Sequence, residues 1–489
     1  MPSCFSALLP RAKSTRRQEE KPASPSREEK LPSSLARSAH SSCGQCTAWS
    51  SDLLPSYTAQ DLKSSASSPS TPLPMSSLSH SLAHHIHNEL QNLSPTLRDL
   101  SLKMWDLHEP AFTEHKTHDL FVDFFRGLDK EGWKITPHAN GLETAWRAEF
   151  VHHSKGSMKA KDGKIPTVGF QSELDSLPGI GHACGHNLIA IGGVGAALSV
   201  ASALVKYDVT GRVVLLGTPA EEGGGGKVIM LEDGAYDGMD ACLMIHPCPE
   251  EMIGPLLAVV PITVSFTGAT AHAGGFPEQG INAQDAAILS YNNISLLRQQ
   301  LPTTARVHGI LIADPDWAPN VIPGKSKMVW NVRSTTRSEL DVVKAKVLKC
   351  FQAAALATGC KIDIEEGRAY DDVRNSQRLT DDYVQFMKEE FEIEYARKPV
   401  AVSTDFGNIS YHLPSVHPMY KIPIDDPKTQ GNHTVGFTSA SRTPAAHEAT
   451  LKATEGIAVL GARVLAEGEY RELLWKEWKE WKKGTEEEE

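Results

Sequence analysis

The chain has 489 residues, 60 acidic against 49 basic side chains, a formal net charge of −11 and 40% hydrophobic content. An acidic balance without a dense basic stripe excludes a general nucleic-acid binder, and no apolar run approaches the ~20 residues that a membrane span needs. Eight cysteines scattered over so long a chain form no disulfide framework, which predicts a reduced, cytoplasmic setting.

Residues 1–80 are rich in Ser, Pro, Arg and Lys and poor in aromatics. Such a segment cannot bury enough apolar surface to offset its ordering entropy, so it reads as a disordered tail. Apolar Phe5 to Leu9 followed by Arg11, Lys13, Arg16 and Arg17 leaves an organelle transit peptide open, with Glu19, Glu20, Glu28 and Glu29 against it. The apolar stretch is too short for a secretory signal. Cys43-Gly44-Gln45-Cys46 lacks the second pair that a zinc site of this kind needs.

From Ser81, leucines at 90, 93, 97, 100 and 102 recur at near-helical spacing, and Leu120, Phe121, Phe124, Phe125 and Leu128 continue an apolar face, so a helical entry is predicted. Strands at 144–150, 167–171, 212–217 and 241–245 alternate with helices at 190–204 and 226–233, the pattern of an α/β layered domain. Near Pro261 the order changes to strand 262–266, helix 283–297, strands 307–312 and 326–332, helix 338–358 and strand 360–366. Strand, helix, two strands, helix, strand is the ferredoxin-like arrangement. It predicts a domain inserted at 261–370 between catalytic parts 81–260 and 371–469, the second ending in a long helix at 445–467. In the segment 470–489, Trp475, Trp478 and Trp481 fall at helical spacing. That predicts a terminal helix packed on the surface, with a partner-binding helix as the alternative.

The stretch Gly181-His182-Ala183-Cys184-Gly185-His186-Asn187 brings together three potential metal ligands, just after a strand-like run ending in Glu173-Leu174-Asp175. Thiolate and imidazole so close together are donors that zinc selects. Three further signals follow. Glu221-Glu222 ends the apolar run from Val213, His246-Pro247 ends the run Ala241 to Ile245, and Asn432-His433-Thr434 follows a loop near the C-terminus. Open α/β sheets collect their sites at the C-terminal ends of their strands, so these loops can meet at one point. A lone cysteine is more often a small buried hydrophobe, and an acidic doublet is usually a solvated face; position makes both better candidates here. For His182, turn-stabilising work and coordination are equally open. One carboxylate of the doublet can bind metal while the other serves as base towards water. Glu221 as base and Glu222 as ligand is the assignment, although the residues alone allow the reverse. Gly223 to Lys227 is not a phosphate loop, because Glu221 stands where its first Gly should be and Val228 follows the lysine.

The stretches Asp175 to Asn187 and Thr218 to Lys227 resemble the metallopeptidase family of aminoacylases, carboxypeptidase G and indole-acetyl-amino-acid amidohydrolases, over residues 81–465. Within that family they are most similar to the Xaa-Arg (β-alanyl-lysine) dipeptidase subgroup. The resemblance implies an α/β di-metal hydrolase domain with an inserted ferredoxin-like α+β lid that also serves dimerisation. It implies metal ligands Cys184, His186, Glu222, His246 and His433, with Glu221 as catalytic base. Five ligands suit two divalent ions per subunit sharing a water; zinc is the default from the donors, with manganese or cobalt as alternatives. His272, in Gly268 to Gly274, implies a histidine that reaches a neighbouring subunit's site and stabilises the oxyanion. Asn320 and Arg333 fit positions that hold the substrate carboxylate. The implied protein is a homodimeric hydrolase of dipeptides with a basic C-terminal residue, or of N-acyl amino acids. A metal-binding regulatory protein on the same scaffold is the non-enzymatic alternative. Asn187 and Glu173 stand where many members carry Asp, and His447 is a rival for His433.

Overall fold

A run such as Val213-Val214-Leu215-Leu216, apolar on both faces, needs a sheet covered on both sides, and all four side chains are buried. The computed structural model that shows this describes residues 74–155, 164–312, 317–427 and 429–488. Most of the expected tail, with Cys43 and Cys46, lies outside the described residues. The run belongs to a six-stranded mixed sheet whose order is Trp133–Pro137, Trp146–His152, Gly211–Thr218, Thr167–Glu173, Ala241–Leu243 and Ser415–Val416. The first two strands are antiparallel to their neighbours, and the last four run parallel. The layered α/β arrangement expected from the alternation is therefore the one adopted.

The helix Ser77–Trp105 starts four residues earlier than the spacing predicts, because Ser76 caps it by accepting from the Ser79 N–H. The elements without a prediction include the edge strand Trp133–Pro137 and the helix Gln377–Phe391. A third finding corrects the reading of apolar runs. His186–Lys206 is long and apolar enough to cross a membrane by length and composition. It is instead the core helix: 89% of its most apolar window is buried, under the sheet and the helices Ser77–Trp105 and Pro444–Ala466. Pro444 opens the latter behind a Thr443 cap, where a missing N–H costs nothing.

Residues 258–366 form a second, antiparallel sheet in the order Lys361–Glu366, Ala258–Thr267, Lys325–Ser334 and Arg306–Ile312. Alternate residues of Ala258–Thr267 are buried, as a sheet with one covered face requires. The helices Ala283–Leu297 and Arg337–Thr358 cover that face, closing a separate apolar core around Trp330, Phe351 and Ile294. A third, small sheet pairs His246–Cys248 in parallel with Met419–Lys421. His246 thus follows the last wide-sheet residue, Leu243, and opens the next sheet. The tryptophan-bearing end forms the helix Gly468–Glu488, with Tyr470 and Leu474 buried. Its Glu477 accepts from the N–H groups of Gln377 and Arg378 at the start of Gln377–Phe391, and its Trp478 Nε1 donates to the Ser410 carbonyl.

Candidate metal centre

The parallel strands deliver the donors one after another. Thr167–Glu173 pairs with Gly211–Thr218 so that Glu173 lies opposite Thr218. Just beyond those ends, Asp175 accepts from the backbone N–H of Glu221 at Oδ1 and of Glu222 at Oδ2, 3.1 and 3.0 Å away. Ala220 before the doublet has φ +57°, a left-handed conformation that a non-glycine residue adopts only when its surroundings impose it. Glu114 accepts from the Ala220 N–H, and the N–H groups of Gly224 and Gly225 both donate to the Ala220 carbonyl. Gly226 packs so closely that a Cβ would lie 1.9 Å from the Pro219 carbonyl oxygen. The glycine run thus serves a tight turn that aims the doublet. Tyr370 closes it from the second sheet's side, donating to the Glu221 carbonyl at 2.9 Å.

The two side chains of the doublet part. Glu222 Oε1 lies 3.4 Å from His433 Nε2, and Cys184, Glu222 and His433 form one group of donors within 4.8 Å of one another. Glu221 joins Glu173 and His186 in a second such group, and Cys184, His186 and His246 make a third. All five expected ligands and Glu221 therefore meet. The imidazoles are aimed by carbonyls: His186 Nδ1 faces the Asp175 carbonyl at 2.8 Å and His246 Nδ1 that of Pro247 at 2.9 Å, leaving each Nε2 turned inward. His433 is held with φ +66° by its N–H bond to the Ala183 carbonyl.

Electrostatics sharpen the contrast between the carboxylates. Burial raises Glu221 well above the ordinary range, with Glu173 and Glu222 adding to it, so it holds a proton readily. Burial also pushes on Glu173, but buried Lys227, 2.6 Å away, and His186 hold it down to about 2. Lys227 pairs with Asp405 as well, at 2.7 Å. Burial lowers His246 to about 4 and raises the Cys184 thiol. A nearby cation would favour the thiolate.

Cys184, Glu221, Glu222, His246 and His433 edge a cavity of about 430 Å³ that Arg333, Arg368, Tyr370 and Asn432 also line. Arg333 Nη1 donates to Ser403 Oγ at 2.8 Å. His272 and Asn320 do not line this cavity. Both are exposed, side by side: the Ala273 N–H donates to the Asn320 carbonyl. His182 is tied by Nε2 to the Met104 carbonyl and belongs to none of the donor groups. His447, the rival of His433, is buried against Ser94 Oγ and takes no part either. Asn187 donates to Ser101 Oγ and the Ser441 carbonyl, a bracing task. The residues that sequence reasoning missed are the brace Asp175, the buried cation Lys227 and His417, which lines the cavity beside His246. His417 carries a signal that could have found it, since His417-Pro418, directly after Val416, repeats the His246-Pro247 pattern.

The sequence model of the peptidase family M20/M25/M40 matches residues 166–434. The Xaa-Arg dipeptidase of Mus musculus is 39% identical over 376 residues, 75% of this chain and 85% of that protein. The Homo sapiens Xaa-Arg dipeptidase is 38% identical over 384 residues, 76% and 86%. A crystal structure from Bacillus subtilis, described as a dinuclear metal-binding peptidase of the M20 family, shares the fold with a TM-score of 0.55 at 19% identity, covering 78% of this chain and 98% of its own. This chain belongs to the peptidase family M20/M25/M40.

Proposed function

We propose that the cavity is the active site of a metal-dependent dipeptidase that cleaves dipeptides with a basic C-terminal residue. The observation that carries this reading is the meeting of Cys184, His186, Glu222, His246 and His433 beside Glu221. The mouse and human Xaa-Arg dipeptidases support the substrate class. The donors fit divalent ions: buried His186 Nε2, Glu222 Oε1 and Glu173 Oε2 have no hydrogen-bond partner, and thiolate, imidazole and carboxylate together suit zinc, with manganese or cobalt as alternatives. We infer two ions per subunit, held by the five donors; when bound they supply Lewis acidity and make water easier to deprotonate.

The chain's own groups do the rest. Arg333 grips the substrate's terminal carboxylate. Glu221 takes a proton from the attacking water on its carboxylate oxygen and passes it to the leaving amine nitrogen. His272 Nδ1 accepts from the N–H groups of Gly274 and Gly275, which leaves the proton on Nε2. We assign that Nε2–H to the oxyanion in the cavity of a second copy, with Asn320 beside it on the substrate carboxylate, so the working unit is a homodimer.

A second reading, hydrolysis of N-acyl amino acids, has one observation in its favour. Apart from the doublet, the cavity lining carries Arg333 and Arg368 but no carboxylate to meet a basic side chain. Metal analysis of the purified full chain, with a panel of dipeptides ending in Lys, Arg or ornithine set against N-acetyl amino acids, separates the two. Hydrolysis confined to the basic dipeptides supports the first reading and hydrolysis confined to the N-acetyl compounds the second. Stoichiometric metal with no hydrolysis of either sinks both and leaves a regulatory metal-binding protein.

A further inference from the structure

His417 is 1% exposed and lines the cavity. Its backbone N–H donates to Asn375 Oδ1 at 2.7 Å, yet neither ring nitrogen has a hydrogen-bond partner. The ring stands 5.6 Å from that of His246 and 5.5 Å from that of Phe406, and it belongs to none of the donor groups found among the described residues. Leaving a buried polar group without a partner costs as much as losing a hydrogen bond. A histidine kept in that state in a cavity wall marks a place where an incoming molecule supplies the partner.

We propose that His417 binds the free N-terminal ammonium of the dipeptide, and so sets a preference for dipeptides over N-acylated amino acids. The proposal rests on the dipeptidase reading above. A dipeptide has three polar landmarks. Its scissile carbonyl belongs to the donor groups and its carboxylate to Arg333. The ammonium lies only a few bonds from the scissile carbonyl, so its acceptor must stand beside the donors and not across the cavity. The doublet is engaged in holding metal and moving a proton, and the other charged side chains of the lining, Arg333 and Arg368, repel an ammonium. His417, next to His246, offers a lone pair at that place, and imidazole is an acceptor that needs no charge of its own. An N-acetyl group has no ammonium to offer and gains nothing there.

The test compares metal-loaded full-length wild type with His417→Phe, His417→Leu and His417→Gln on alanyl-lysine and on N-acetyl-lysine. His417→Phe should raise KM for the dipeptide about 10- to 100-fold, the worth of a hydrogen bond to a charged group. It should leave KM for the N-acetyl compound and the metal content unchanged. His417→Leu gives the same reading if the phenyl ring is not accommodated, and His417→Gln, which keeps an acceptor, should recover part of the loss. The Phe variant should also melt no lower than wild type, since it removes two partnerless buried nitrogens. An unchanged KM for the dipeptide overturns the proposal, as do equal losses on both substrates or a loss of metal. A wild type that cleaves the dipeptide while the variants behave like it refutes this inference alone. A wild type that cleaves no dipeptide refutes the dipeptidase reading and this inference with it.

Discussion

Glu221 and Glu222 are neighbours in the chain with opposite surroundings. Glu222 turns to Cys184 and His433, while Glu221 turns to Glu173 and His186 under a burial that favours its protonated form. A base must want the proton it takes, which is why we assign that role to Glu221. Glu221→Gln should keep the metal content and lower turnover by about 10²- to 10⁴-fold, the usual share of a general base; turnover close to wild type in the metal-loaded variant would remove Glu221 from that role. His447 shows a different consequence of burial. Burial, with Arg98 beside it, lowers its pKa from 6.5 to about 4. Between those values the unfolded chain binds a proton that the folded chain refuses. The stability this residue contributes is therefore present above pH 6.5 and is lost as pH falls towards 4. His447→Gln should flatten the fall in melting temperature across that window, and a profile that superimposes on wild type would count against the assignment. At this scale the ligand candidates other than His433 are legible in the sequence because they end an apolar run or stand beside glycines, and His433 is legible through the resemblance. Lys227 is not, because its meaning depends on which distant groups surround it, and the His-Pro signal at His417 gains its meaning only from the His246 ring beside it.

An element built on an unbroken apolar run, such as Gly211–Thr218 with Val213 to Leu216, is legible because only a covered sheet accommodates it. Trp133–Pro137 escapes because its polar Lys134 and Thr136 and its closing proline read as a loop; its pairing with Trp146–His152 supplies what the segment alone lacks. Gln377–Phe391 escapes for another reason. Its buried face includes Thr380, Asp381 and Asp382 as well as Leu379, Tyr383 and Met387, which blurs the helical period. That helix also borrows its start from elsewhere. Ser376 caps it locally, while Glu477 of the terminal helix accepts from Gln377 and Arg378 N–H and from Ser376 Oγ. Glu477→Ala should destabilise the protein by about 1–2 kcal/mol, the range of a lost cap plus exposed amides. Thermal denaturation checks this: an unchanged melting temperature would mean that water replaces the carboxylate at no cost.

At the scale of the molecule, two apolar cores with separate sheets meet at one cavity. Arg333 and Tyr370 come to that cavity from the second sheet and its exit, and the donors from the first. His272 and Asn320 lie on the same second unit yet outside the cavity, which is why we assign them to a second copy. Mixing decides the matter. Glu221→Gln and His272→Ala subunits, each inactive alone, should regain about a quarter of wild-type activity when co-refolded or co-expressed, because half of the statistical dimers carry one intact site. No recovery despite demonstrated exchange would place His272 within its own subunit's site. The pairing of His246–Cys248 with Met419–Lys421 has a further consequence. The strand that anchors this histidine, and His433 after it, come late in the chain, so a nascent polypeptide still emerging from the ribosome has no complete set of donors. A product truncated before Met419 would lack both this strand and His433, and should hold less metal than the full chain.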